Sequence, residues 1–260
     1  MRTPARWAVA VRRPDGSIHT EAHDVTRPGG ALRASIVRGL VALADAMSIG
    51  LRALRVAVRE TTGAEPTAGQ IRSTLLAIGG GVFALFVIAP GVLVAGWPDR
   101  VADILEASAR AAVLIVYLFA ISRSVGARRL FEYHGAEHKV IAAFEERGVE
   151  ATVDDARRRS PIHPRCGTSF IALFVIVAGV VHAFVPRAPL WVGAVWRIAL
   201  APVDAAIAYE LMRATARKER SLLGRLLSWP GRLLQRLTTR EPAEDQLDVA
   251  RTALGAALTP

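Results

Sequence analysis

Four long apolar runs, with an arginine-rich connector between the second and third, set the pattern of this chain. Thr74 to Gly96 carries no charge and exceeds the ~20 residues that cross the hydrocarbon of a bilayer. Pro90 predicts a kink within it, tolerable where neighbours re-satisfy the freed backbone. Ile104 to Ser122 is the second run. Glu106 and Arg110 fall in its first turns, so its apolar core is Ala111 to Ile121. Ser169 to Val185 is the third, slightly short, with His182 near its end. Leu190 to Met212 is the fourth, carrying Arg197, Asp204 and Glu210. The pattern predicts a mainly α, polytopic membrane protein with about four transmembrane helices.

The remaining segments have their own periods. In residues 1–30, Trp7, Val9 and Val11 alternate with other positions, and Pro14-Asp15-Gly16 supplies a turn, which predicts a small N-terminal β-hairpin. A lone hairpin is marginal in water and must pack on something else. In residues 31–70, Arg38, Asp45, Arg52 and Arg59 recur every seven positions, with Leu40, Val41, Leu43, Met47, Leu51 and Leu54 around them. This predicts an amphipathic helix at the membrane interface or against the bundle, followed by a linker from Thr61 to Gln70. Residues 71–122 hold transmembrane helices 1 and 2, residues 123–168 a connector, and residues 169–212 helices 3 and 4. In the 213–260 tail, leucines at 222, 223, 226, 227, 233, 234 and 237 alternate with Arg220, Arg225, Arg232 and Arg236. That is a basic amphipathic stretch suited to the inner leaflet, with a break expected at Trp229-Pro230-Gly231. A last helix is expected from Asp245 to Leu258.

Charge orients the runs. The chain of 260 residues is 52% hydrophobic yet has a formal net charge of +10. Long apolar runs with basic connectors reconcile the two. The 123–168 connector and both terminal segments are rich in arginine, whereas the 97–103 and 186–189 connectors hold only Arg100 and Arg187. The positive-inside rule then puts both termini and the long connector in the cytoplasm and two short turns outside. Lysine occurs only at Lys139 and Lys218, a usage we assign to genome composition. No aromatic-plus-basic pattern points to nucleic acid, so membrane lipid is the expected partner. One cysteine, Cys166, excludes an intramolecular disulfide. Arg12, Arg13, Asp15 and Glu21 interrupt any signal-peptide core, so the first apolar run is expected to target the chain.

Candidate chemistry gathers in the connector. His134-Gly135-Ala136-Glu137-His138 reads H-x-x-E-H, the inverted zincin pattern. Residues i and i+4 share a helix face, so His134 and His138 can bind one metal ion. Glu137, in the same turn, is the candidate general base. Gly135 weakens a helix by about 1 kcal/mol, which counts against a regular helix there. His163 and Cys166 stand three apart just before the third run and add two transition-metal donors. Glu210, at the cytoplasmic end of the fourth run, is a candidate distal ligand, with snorkelling or a pair with Arg213 as the bland alternative. Asp204 and Arg197, seven apart, are expected to pair within the bundle. Zinc is the divalent ion that best suits His with Glu or Cys.

These segments together resemble a known family. Phe131-Glu132-Tyr133-His134-Gly135-Ala136-Glu137-His138-Lys139, His163-Pro164-Arg165-Cys166-Gly167-Thr168-Ser169-Phe170, Tyr209-Glu210 and Leu237-Thr238-Thr239-Arg240-Glu241-Pro242 are similar to the YqhQ-like bacterial membrane proteins. The resemblance runs from about Arg6 to Leu254. It implies a metal-dependent enzyme at the H-x-x-E-H and His163/Cys166 positions, and no particular reaction. The family pattern usually opens with Gly-Gly-Gln and Glu-Gly-Val-Met-Met-Arg. Here Met1-Arg2 stands near the end of that segment, which implies a late start or its loss. Asp204 stands where the family tends to have a small residue. Three readings stay open: a hydrolase of the bacterial inner membrane with a cytoplasmic metal site, a non-enzymatic scaffold with a structural metal, and a transporter using Arg197, Asp204 and Glu210.

Overall fold

The computed structural model describes residues 1–25, 35–97, 99–186, 188–218 and 221–259. Arg187, Arg220 and the expected join between hairpin and first helix at residues 26–34 lie outside them. The N-terminal hairpin is present: β1 (Arg6–Arg12) pairs antiparallel with β2 (Ile18–Asp24), Trp7 opposite His23 and Arg12 opposite Ile18. Gly16 turns the chain at φ 87°. The hairpin packs between α1 (Ser35–Thr62) and α10 (Glu244–Leu258). Trp7 is buried and stacks on the His23 ring at 4.5 Å between centroids. The Arg12 guanidinium donates to the Asp245 carbonyl at 2.9 Å.

The seven-residue stripe on α1 is a seam of ion pairs. Arg38 reaches Glu210, Asp45 meets Arg2, and Arg59 meets Glu21 and Glu60. His19, Glu21 and Glu60 bring ligand-type atoms within 4.8 Å of one another. Arg13 and Arg59 occupy that cluster, so guanidinium charge balances its carboxylates. The hydrogen bond from His19 lowers Glu21 below the ordinary carboxyl range, and that from Arg13 lowers Glu60. Groups with depressed folded-state pKa values add stability above the unfolded value, and lose it as pH falls through the depressed one. The hairpin is therefore expected to stay docked at neutral pH and to loosen below about pH 4.5, the ordinary glutamate value. Amide hydrogen exchange of β1 and β2 across that range checks this. Protection unchanged well below pH 4.5 would contradict it.

Among the described residues, three helical segments are long and apolar enough to cross a membrane: Ala68–Leu93, Val101–Ile121 and Leu190–Arg217. The first starts as α2 (Ala68–Phe83) on a capping box between Thr67 and Gln70. It then passes through a π-helical turn (Ala84–Ile88) into α3 (Ala89–Leu93). Pro90 has no N–H to offer Phe86, and the Phe86 carbonyl accepts from Arg110 Nε at 3.2 Å instead. Arg110 lies on α4 (Asp99–Ile121), and the third segment is α8 (Leu190–Arg217). The third expected span, Ser169 to Val185, is shorter than its apolar run. The helix α7 (Gly167–His182) ends before Ala183, where the backbone turns. Sixteen residues reach ~24 Å, short of the ~30 Å of hydrocarbon. Four expected spans thus become three long helices and one short apolar one.

At the C-terminal end of α7 the helices share an ion network. Glu106 accepts from Arg110 and from Arg197, and His182 Nε2 lies 3.0 Å from Asp204. Arg197 therefore pairs with Glu106 across to α4, not with Asp204 as their spacing suggested. Leu76, Ile104 and Trp191 project outward from α2, α4 and α8, each about 70% exposed. Outward apolar surface on this scale marks an interaction surface such as a membrane.

The connector is a folded unit. Ser124 caps α5 (Val125–Arg147), and α6 (Val153–Arg157) follows. Ala136, Val140 and Ala143 form an apolar stripe on α5, buried against Ala156 of α6 and Leu247 and Ala250 of α10. Helix α9 (Leu222–Thr238) runs unbroken through Trp229-Pro230-Gly231 and packs on α7. The expected break is absent. Gly231 lets α9 approach so closely that a Cβ there would lie 2.7 Å or less from Ser169 atoms.

Candidate metal centre

Two elements bring the donors together. His134 and His138 lie one turn apart on α5, with ring centroids 4.4 Å apart. Cys166 is the N-cap of α7, its sulfur accepting the Thr168 N–H at 3.3 Å. One ligand atom each from His134, His138 and Cys166 falls within 4.8 Å of the others. His138 and Cys166 are each 4% exposed.

Hydrogen bonds fix the tautomers. His134 Nδ1 donates to the Thr238 carbonyl at 2.8 Å, and His138 Nδ1 to the Pro161 carbonyl at 2.6 Å. A carbonyl only accepts, so the ring proton sits on Nδ1 and the Nε2 lone pair is left for the centre. This is the outer-shell arrangement that orients metal-bound histidines. His134 Nε2 lies 3.2 Å from Cys166 Sγ. Burial pushes the Cys166 thiol up, but hydrogen bonds with His134 and His138 outweigh it and bring it down to about 5. Burial likewise opposes a charge on His134, but the Cys166 sulfur holds its pKa above the ordinary histidine value. The sulfur is thus held toward its thiolate form beside the His134 ring. A metal there would meet an ionised sulfur.

Two sequence candidates stand apart from this triad. His163 is adjacent, its ring 5.7 Å from that of His138. Its Nδ1 accepts the Arg165 N–H at 3.3 Å and its Nε2 faces Glu145 at 3.3 Å, so both nitrogens are engaged. Glu210 is not brought to the centre. Arg38 grips both its carboxylate oxygens, one of them from Nε at 2.6 Å. Its close ion pair is with Arg38, and it is not in the group formed by His134, His138 and Cys166. Glu137, on the ligand helix, makes no hydrogen bond or ion pair among the described residues. Its charge acts on His134.

Gly135 owes its place to the segment that follows α9. A Cβ at this position would lie 2.0 Å from the Arg240 carbonyl oxygen. The α5 helix is regular through it, contrary to its propensity, because the 238–240 segment needs that space. Arg240 N–H then bonds the Phe131 carbonyl at 2.9 Å, and the Thr238 carbonyl reaches His134. Buried Lys139 pairs with Glu241 and donates to the Arg157 carbonyl at 3.0 Å.

Sequence reasoning missed Gln235. Its side chain accepts the His163 N–H and donates to the His163 carbonyl, both at 2.9 Å, and is fully buried. A single glutamine in a leucine–arginine helix was the available signal. Thr238 acts through its carbonyl, which no side-chain pattern reveals.

Comparison with known proteins agrees with this motif set. Residues 34–260 match the family described as "Protein of unknown function (DUF1385)". The chain is also 42% identical over 139 residues to the uncharacterized protein YqhQ of Bacillus subtilis (strain 168). That alignment covers 53% of this chain and 43% of the relative, so the chain spans less than half of that protein. No solved structure matches. The matched span holds the α5 motif, the His163–Cys166 loop and the 237–242 segment that bonds to both, and the chain belongs to the DUF1385, YqhQ-like family.

Proposed function

We propose that this protein is a metal-dependent hydrolase of the bacterial cytoplasmic membrane, with a zinc-type centre on its cytoplasmic side. The observation that carries the reading is the pair of histidines whose Nδ1–H groups are tied to backbone carbonyls, leaving both Nε2 atoms facing the Cys166 sulfur. The donor set fits zinc: two imidazoles and a thiolate, with outer-shell bonds in place. Three protein donors are the number found in catalytic zinc sites, which keep a position open. A divalent ion held there would supply Lewis acidity at that position. His134, His138 and Cys166 would hold the ion. Glu137, with a carboxylate unclaimed among the described residues, would take the proton from the attacking water. Buried Lys139, paired with the exposed carboxylate of Glu241, holds the α5 motif against the 238–240 segment.

The membrane reading is supported by the three long apolar helices and their outward apolar side chains. We place both termini and α5 in the cytoplasm on the distribution of arginine, with α7 as a short fourth crossing.

The second reading is a closed structural site. The 5.7 Å between the His138 and His163 rings favours it, because rotation of His163 away from Glu145 brings a fourth donor. Protein purified without chelator is expected to carry one zinc per chain and to rebind one after stripping. Glu137→Gln should keep that metal while losing hydrolysis of activated ester probes. His163→Ala should keep it too, and loss of the zinc there would establish the closed site. Wild type that binds no metal would remove both readings.

A further inference from the structure

Helix α9 carries its polarity inside out. Its inward face is Gly224, Ser228, Gly231, Gln235 and Thr238, with Leu234 the one large apolar side chain among its buried residues. Its outward face is Leu222, Leu223, Leu226, Trp229 and Leu233, each between 40% and 79% exposed. A helix lying in water reverses this order. Contact with the protein thus leaves most of its apolar surface uncovered. Arg225, Arg232 and Arg236 flank the stripe, and α9 follows the long apolar helix α8 closely. Guanidinium groups beside an apolar stripe complement the headgroup boundary of an anionic leaflet.

The inward face of the same helix is bonded to the metal centre. Gln235 holds the His163 backbone from both sides and donates to Ser169 Oγ at 2.9 Å. Thr238 Oγ1 lies 3.2 Å from Thr168 Oγ1, two residues past Cys166. The Thr238 carbonyl orients His134. One helix therefore clamps both halves of the centre, the α5 histidines and the start of α7.

We infer that α9 is seated in anionic phospholipid and that this seating keeps the metal centre assembled, so that metal affinity depends on the lipid under α9. The inference rests on the metal reading above and adds its regulation by the membrane surface. The inward bonds are directional and few, so a shift of α9 moves the Thr238 carbonyl away from His134.

The test uses the full chain in nanodiscs of phosphatidylcholine, with or without phosphatidylglycerol, and zinc affinity from chelator competition. The variants Arg225→Gln/Arg236→Gln and Leu222→Ser/Leu226→Ser change only outward positions. Each variant, and wild type in pure phosphatidylcholine, is expected to bind zinc at least ~10-fold more weakly than wild type in anionic discs, the scale of losing an outer-shell partner. Equal affinity in every case overturns the inference and leaves the metal reading standing. No zinc in wild type under any condition removes both. A second measurement is quenching of Trp229 by brominated lipid, taken as the difference from Trp229→Phe. Quenching is expected. Its absence means that a second copy or another protein covers the stripe, which overturns the inference.

Discussion

Replacing Cys166 with serine is expected to strip the metal while leaving the protein folded. Cys166 serves two purposes, and they separate on this change. As N-cap of α7 it accepts the Thr168 N–H. Serine is a preferred N-cap and accepts the same bond, so helix stability is retained. As a ligand, the sulfur is a thiolate, with its thiol brought down to about 5. A serine hydroxyl stays protonated near neutrality and is a poor zinc donor. Zinc affinity should therefore fall by more than the ~100-fold upper range of an outer-shell change. With cobalt as the probe, the sulfur-to-metal charge-transfer band should vanish, and thermal unfolding in detergent should move little. A serine variant that keeps its zinc would show that Cys166 is only a cap.

Gly135→Ala should be among the most damaging single-methyl changes available in α5. Two effects oppose each other. Helix propensity favours alanine by about 1 kcal/mol. The new Cβ, however, would stand 2.0 Å from the Arg240 carbonyl oxygen and 3.1 Å from its carbon. Those atoms are backbone and cannot rotate away, so the 238–240 segment must move. Overpacking of this kind costs about 3 kcal/mol, the upper part of its usual range, and the contact wins. The Thr238 carbonyl moves with the segment, so His134 loses the bond that sets its tautomer. We expect a fall in melting temperature of roughly 5–10 °C together with weakened zinc binding. A stabilised variant with unchanged zinc would mean that propensity governs the position.

Gly135 also marks what the sequence could and could not disclose. Alternation in Trp7, Val9 and Val11 was enough to place the hairpin, and the i, i+4 spacing was enough to put His134 and His138 on one face. Both signals are local. The reading of Gly135 as a weak point in a helix was local too, and failed because its reason lies on a segment about a hundred residues later. Glu210 failed in the same way. A carboxylate at the end of an apolar helix has the chemistry of a ligand, but Arg38, far back in the chain, claims it. His163 lies beside the triad, and its engagement by Glu145 and the Arg165 N–H depends on how the loop lies on α5. Proline at 230 predicted a break that the packing of Gly231 on Ser169 overrides. The apolar run after Cys166 was visible, whereas its early end at His182 depended on a turn.

The network at the far end of α7 bears on how such a chain is made. In a bilayer, a charged side chain near the middle of a lone helix costs about 2.5–3.5 kcal/mol to insert. Helix α8 carries Asp204 near its middle and Arg197 nearer its start, so crossing lipid alone it would face at least the roughly 2.5–3.5 kcal/mol of the central charge. Glu106 and Arg110 on α4 and His182 on α7 are the partners that offset it. All three precede α8 in the order of synthesis. On the membrane reading proposed above, the last long helix would enter lipid at least cost beside the helices made before it.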